Sequence, residues 1–102
     1  MKTFFFDSIY NTQEFALKEL SSEPIFVTSF SQEKGKGTSN REWLNADQAI
    51  ACSLALFEDQ IKIAHTLIPL VAGFAFVKVF QDIDLTLKWP NDIIFNEKKV
   101  GG

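Results

Sequence analysis

Cysteine and histidine each occur once in this chain, as Cys52 and His65. A single cysteine excludes an intrachain disulfide and a cysteine-built metal cluster, and a lone thiol suits a reducing compartment. His65 has no second histidine or cysteine pair to share a metal with, so it reads as a surface or capping residue. The charge is nearly balanced, at a formal net value of -3. No overall field draws nucleic acid or an anionic membrane, and any bound anion must be held by local groups. The longest apolar run, "LIPLVAGFAFVKVF", is interrupted by Pro69, Gly73 and Lys78 and falls short of the roughly 20 residues a membrane helix needs. The N-terminal "MKTFFFDSIY" loses its apolar character at Asp7, well below signal-peptide length. No repeat, low-complexity tract or linker is present. These absences read together as a cytoplasmic protein without membrane segments.

What is present is an ordinary globular composition, 46% hydrophobic and 23% charged over 102 residues. That is enough for one small domain. Residues 3–6 read as a first strand and 11–20 as a helix, with Phe15, Ala16 and Leu20 at helical spacing. Ser21, Ser22 and Pro24 close that helix, and "IFVTSF" at 25–30 has the β-branched and aromatic content of a second strand. Residues 31–45 break into a polar segment, a loop long for so small a domain. Residues 49–57, "AIACSLALF", read as a buried strand with Cys52 as a small core residue. Pro69 suits the first turn of a helix, which makes 70–80 the main core helix. Residues 85–88 and 93–95 read as strands flanking "WPND", with Asn96 and Glu97 as a turn. The phenylalanines of the N-terminus and of "FAFVKVF" read as core, and Glu14, Lys18 and Glu19 as a solvated helix face. The order is mixed α+β.

Two segments carry chemistry. In "QEKGKGTSNREW", Gly35 and Gly37 leave backbone amides accessible, Lys34 and Lys36 add positive charge, and Arg41 offers a planar fork for phosphate or carboxylate. Lys36 is followed by glycine rather than Ser or Thr, which excludes a P-loop, and the dinucleotide fingerprint lacks its third glycine. A surface loop using glycine for ordinary turns remains an open reading of this segment. In "KWPNDIIFNEKKVGG", Trp89 before Pro90 is held extended, so Lys88, Asn91 and Asp92 are presented in fixed order around a bend. Asp92 can hold a hard cation, Asn91 can donate to or accept from a ligand, and Lys88 and Lys99 can neutralise phosphate or carboxylate charge. The bland alternative is a hairpin turn with Trp89 in the core and its lysines solvated.

Together these segments resemble the catalytic domain of biotin protein ligases. "KWPNDIIFNEKKVGG" is similar to that family's Lys-Trp-Pro-Asn-Asp segment and the Lys-Leu-Ala-Gly segment that follows it at the same spacing. "QEKGKGTSNREW" resembles its Gly-Arg-Gly-Arg loop, and "DSIYNTQEFALKEL" its opening strand, turn and helix. Asn11-Thr12-Gln13 stands where the family commonly has Ser-Thr-Asn, so only Thr12 transfers, and Lys36 replaces an arginine.

The resemblance implies an α+β fold, a mixed sheet with helices packed on one face, of the class II synthetase-like biotin and lipoate ligase type. Residues 1–102 would form its N-terminal portion, incomplete at the C-terminus. It implies a two-step reaction in which biotin and ATP give biotinyl-AMP, and biotin then passes to a lysine of a biotin carboxyl carrier protein. Lys99 would be the catalytic lysine. Thr12, Gln32, Gly35, Lys36, Gly37, Trp43, Lys99 and Gly101 would bind biotin. Lys36, Arg41, Lys88, Trp89, Asn91 and Asp92 would bind the nucleotide, with Asp92 and Asn91 holding Mg²⁺. No DNA-binding domain is covered by the resemblance, and a homodimer is compatible with it. Two other readings stand beside the enzyme: a truncated half that binds biotin or adenylate without turnover, and a structural α+β fragment that needs a partner segment.

Overall fold

The computed structural model describes residues 1–36, 42–43 and 49–102, which divide into two compact units, Met1–Ile61 and Lys62–Gly102. No helix among the described residues is long and apolar enough to cross a membrane.

The first unit is built on a three-stranded mixed sheet. Strand β1 (Lys2–Phe6) runs parallel to β2 (Ile25–Ser29), which pairs antiparallel with β5 (Ala51–Ala55). Helix α1 (Thr12–Glu19) crosses between β1 and β2 and packs on one face of this sheet. Alternation along β2 explains the core: Ile25 and Val27 point under the helix and are 1% and 0% exposed. Burying each stabilises the unit by about 1.5–3 kcal/mol. Ala16 of α1 and Ala55 of β5 complete the buried cluster, with Phe4, Phe6, Ile9, Phe15 and Leu20 packed around it. The Phe15 ring meets Phe4 and Phe6 edge-on, at centroid distances of 5.1 and 5.0 Å. Phe5 points to the opposite face and meets Phe30, so the phenylalanine run is core only at alternate positions. A short pair, β3 (Gly35–Lys36) with β4 (Glu42–Trp43), adds a separate two-stranded sheet inside the segment read as a loop.

Period-two alternation also corrects the reading of 49–57 as a buried strand. The strand spans 51–55, and Cys52 shares its exposed face with Leu54. Cys52 is therefore not a core residue. Desolvation of its sulfur nevertheless raises the thiol pKa above its ordinary value.

A 3₁₀ turn at Glu58–Gln60 ends the first unit and another at His65–Leu67 lies near the start of the second, where His65 is exposed, as expected. Helix α2 (Ile68–Val79) follows, with Pro69 in its first turn. It is not the core helix the sequence suggested. Only Gly73 is buried, against Leu87, and Val71, Phe74, Phe76 and Val79 are exposed. The helix is apolar all round, whereas β6 (Thr86–Lys88) and β7 (Asp92–Phe95) meet one stripe of it. Strands β6, β7 and β8 (Lys98–Gly101) form an antiparallel meander. The sequence reading placed no strand at 98–101. Asn96 and Glu97 form the expected turn, both with positive φ (50° and 64°), the geometry of a tight two-residue hairpin. The fold is thus α+β with a mixed sheet, as expected, and among the described residues the strands fall into three small sheets.

Candidate functional site

The first cluster lies at the start of α1. Asn11 caps the helix: its Oδ1 accepts from the backbone N–H of Glu14 at 3.0 Å, satisfying one of the orphan donors of the first turn. Its Nδ2 donates to the carbonyl of Lys34 at 2.6 Å, tying the helix start to the approach to β3. Gln32 is held beside Ile9 by a parallel bridge, and its Oε1 accepts from the Thr12 N–H at 3.2 Å and the Thr12 hydroxyl at 3.4 Å. The Thr12 hydroxyl also lies 2.9 Å from the hydroxyl of Ser53 on β5. Thr12 and Asn11 are both buried, at 3% exposure. Gly35 is buried at the start of β3, and the neighbouring Lys36 pairs with Glu14 at 3.3 Å on the surface.

Thr12, Gln32, Gly35 and Lys36 are therefore gathered around one helix N-terminus, a place where backbone donors and the helix dipole favour partial negative charge. Gly37 and Arg41 lie outside the described residues, as does the side chain of Trp43, whose backbone sits in β4 opposite Gly35. Asn11 and Ser53 were absent from the expected set. Asn11 had a signal, since Asn-x-x-Glu before an apolar run is a helix-start pattern. Ser53 had none, because its role depends on strand pairing across 41 residues.

The second cluster lies on the β6–β7–β8 meander. Trp89, Pro90 and Asn91 connect β6 to β7 through a cis Trp89–Pro90 peptide, and the register places Lys88 opposite Asp92. Trp89 is 66% exposed, which overturns the alternative that buried it in the core. On the other side of β7, Ile94 faces Lys99 and Ile93 faces Gly101, so Val100 is an extra residue forming a bulge. Asp92 and Ile94 share a face, which lets Lys99 reach diagonally across the strands and bring Nζ to 3.1 Å from Asp92 Oδ1. Lys99 and Asp92 are half-exposed and largely covered, respectively.

Gly102 closes over the same spot. A Cβ there would stand 3.2 Å from the Asn91 carbonyl oxygen, 3.3 Å from Lys99 Cε and 3.6 Å from Asp92 Oδ1. The absence of a side chain allows this approach. Gly101 lies against Ile93, where a Cβ would make ordinary contact. Lys88, Asp92, Lys99 and Gly101 thus belong to one small sheet, and Asn91 to the connection between two of its strands. Among the described residues no three His, Cys, Asp or Glu side chains converge as a metal site, and Asp92 is a single carboxylate flanked by a cation. Chemically, the cluster offers one anion and two cations, one of each fixed by an ion pair.

Comparison with known proteins bears on both clusters. The profile described as the biotin/lipoate A/B protein ligase family matches residues 5–102. The human biotin–protein ligase is 32% identical over 91 residues, covering 76% of this chain and 12% of that protein. Among solved structures, the biotin acetyl coenzyme A carboxylase synthetase of Helicobacter pylori with bound biotinylated ATP is 28% identical, with a TM-score of 0.83 over 97% of this chain and 52% of its own. The biotin protein ligase of Aquifex aeolicus in complex with biotin and ATP is 28% identical, with a TM-score of 0.77 over 96% of this chain and 43% of its own. The Leishmania major enzyme with biotinyl-5-AMP shares the fold at 22% identity and a TM-score of 0.76. The chain spans about half the length of these solved relatives.

Proposed function

Since the chain belongs to the biotin/lipoate A/B protein ligase family, we propose that residues 1–102 are the N-terminal portion of a biotin protein ligase catalytic domain. The reaction is ATP-dependent formation of biotinyl-AMP with release of pyrophosphate, followed by transfer of biotin to a lysine of a biotin carboxyl carrier protein. The two relatives at 28% identity bound to biotinylated ATP and to biotin with ATP support the ligand pair. The observation that carries the reading is the Lys99–Asp92 pair at 3.1 Å, set beside the Lys88–Asn91 connection.

A carboxylate attacks an α-phosphate poorly because both are anions. Lys99 offsets that repulsion by holding positive charge where it develops in the transition state. Lys88, Trp89 and Asn91 contact the nucleotide from the exposed connection. Asp92, with Asn91, suits Mg²⁺ in the way such ions are commonly held, by one or two carboxylates together with phosphate oxygens and water. A bound Mg²⁺ would neutralise phosphate charge there. In the first cluster, Thr12 and Gln32 hydrogen-bond the biotin ring. Gly35, Lys36, Gly37 and Arg41 close over the adenylate, Trp43 anchors that segment beside biotin, and Gly101 lets the ligand approach the backbone. The setting is the cytoplasm, where ATP is supplied and the free thiol of Cys52 stays reduced.

The test is calorimetric titration of the chain with biotin, then with biotin and MgATP, followed by assay of pyrophosphate release and of label transfer to a carrier domain. Binding with turnover, both reduced in Lys99→Ala, is the expected result. Binding without pyrophosphate release would leave a binding module. No binding would remove the reading for this chain.

A further inference from the structure

We infer that Ser53 is a positioning residue, which fixes the Thr12 hydroxyl as an acceptor toward a ring N–H of the ligand. The inference rests on the reading of Thr12 and Gln32 as biotin contacts. The argument begins with proton count. Gln32 must present its amide oxygen to Thr12, because that atom accepts from the Thr12 backbone N–H at 3.2 Å. The same oxygen lies 3.4 Å from the Thr12 hydroxyl. An amide oxygen has no proton to give, so Thr12 is the donor in that contact.

A hydroxyl has one proton and two lone pairs. With its proton directed to Gln32, Thr12 must accept in its 2.9 Å contact with Ser53, and Ser53 must donate. The reverse order would turn lone pairs of Thr12 toward lone pairs of Gln32. The relay therefore runs from Ser53 through Thr12 to Gln32, and no donor among the described residues takes the second lone pair of Thr12. A cyclic urea, with N–H groups flanking its carbonyl, supplies the matching donor. A hydroxyl aligned at both ends is a better acceptor than one that rotates.

The placement of Ser53 gives independent support. It lies between Ala51 and Ala55 on the covered face of β5, opposite Val27, which is fully buried. An aliphatic residue there would extend the core under α1. A hydroxyl contributes little to packing and costs desolvation, which its bond to Thr12 offsets. The register pairs Ile25 with Ala55, Val27 with Ser53 and Ser29 with Ala51. The face thus turns from apolar beneath Ala16 to polar beneath Thr12, where the helix begins.

The experiment is a double-mutant cycle in biotin affinity on the full 102-residue chain, read by calorimetry. In the Thr12 background, Ser53→Ala should weaken biotin about five-fold, the worth of one net hydrogen bond. Ser53→Thr, which keeps the hydroxyl, should stay within about two-fold of the parent. In the Thr12→Val background the relay is already cut, so Ser53→Ala should add less than about two-fold. A merely structural serine would weaken binding equally in both backgrounds. That equality, or no effect of Ser53→Ala beside Thr12, would overturn the inference while leaving biotin binding intact. Failure of the parent chain itself to bind biotin would instead overturn the functional reading, and this inference with it.

Discussion

Lys99 Nζ lies 3.1 Å from Asp92 Oδ1 although the strands pair Lys99 with Ile94, so the contact is a diagonal one across β7 and β8. The bulge at Val100 allows Lys99 and Gly101 to face neighbouring residues of β7 at once. Lys99 is half-exposed, and an ion pair of that kind contributes at most about 1 kcal/mol to stability. Lys99→Ala should therefore leave thermal unfolding almost unchanged. Biotinyl-AMP formation should fall by at least about 100-fold, because charge aimed at a transition state is worth far more than a surface pair. Parallel melting curves and pyrophosphate release would separate the two effects. A large loss of stability with a proportionate loss of activity would assign the lysine to the scaffold.

Asn11 joins two things that must hold together, the first turn of α1 and the chain leading to β3. Asn11→Ala removes the cap on the Glu14 N–H and the bond to the Lys34 carbonyl. The cap alone is worth about 1 kcal/mol, and the second bond from a buried donor adds a similar amount. The expected loss is about 2 kcal/mol by denaturant titration. Asn11→Asp should recover part of it, since aspartate keeps the cap and loses the donor. Equal losses for the alanine and aspartate variants would mean that the cap contributes nothing here.

Much of this architecture was legible because local rules govern it. Phe15, Ala16 and Leu20 marked α1 by their spacing, Pro69 marked the start of α2, and Asn96 with Glu97 marked the hairpin turn. The motif residues Thr12 with Gln32, and Lys99 with Asp92, are brought into contact in their respective units. What failed was anything set by which neighbour covers which face. Cys52 looks like core in "AIACSLALF", yet its exposure depends on the phase of β5 against β2, which sequence does not state. Helix α2 looks buried by composition, and only Gly73 is. Strand β8 was missed because "KKVG" has little β-branched content and owes its extension to pairing with β7. Ser53 was invisible for the same reason, since β-pairing rather than local sequence carries it to Thr12.

Glu97 occupies a conformation that glycine adopts without steric cost. At φ 64° its Cβ approaches the following carbonyl, a conflict worth about 1–2 kcal/mol for a non-glycine residue. The β7–β8 turn needs positive φ at both Asn96 and Glu97, and Asn-Gly is the preferred pair for it. Glu97→Gly should accordingly stabilise the chain by about 1 kcal/mol, less a few tenths for the added freedom of glycine in the unfolded state. Because Lys98 and Lys99 follow directly, better hairpin closure should also leave the Lys99–Asp92 contact in place. The check is a rise in melting temperature without loss of biotin affinity. A fall in melting temperature would show that the turn opens in solution to a geometry other than this one.

Lys36, proposed above as a contact of the adenylate, is paired with the carboxylate of Glu14. Their pair spans 3.3 Å between β3 and α1, and both side chains are about half-exposed. Such a pair stabilises the chain by well under about 1 kcal/mol. It must nevertheless be broken or shared if Lys36 is to contact the phosphate of an adenylate. Glu14 also places a negative charge in the first turn of α1, beside the cluster formed by Thr12 and Gln32. An anion approaching that turn meets repulsion from Glu14 and loses part of the charge of Lys36. Glu14→Gln removes both obstacles, at the cost of a weaker interaction with the helix dipole, about 0.3–1 kcal/mol. The variant should therefore be slightly less stable and should bind biotinyl-AMP about two- to five-fold more tightly, a size consistent with one screened surface charge. Raising ionic strength should shrink the difference, because both effects are electrostatic and exposed. If Glu14→Gln instead weakens biotinyl-AMP, then Glu14 orients Lys36 for the ligand rather than withholding it, and the pair is part of the site.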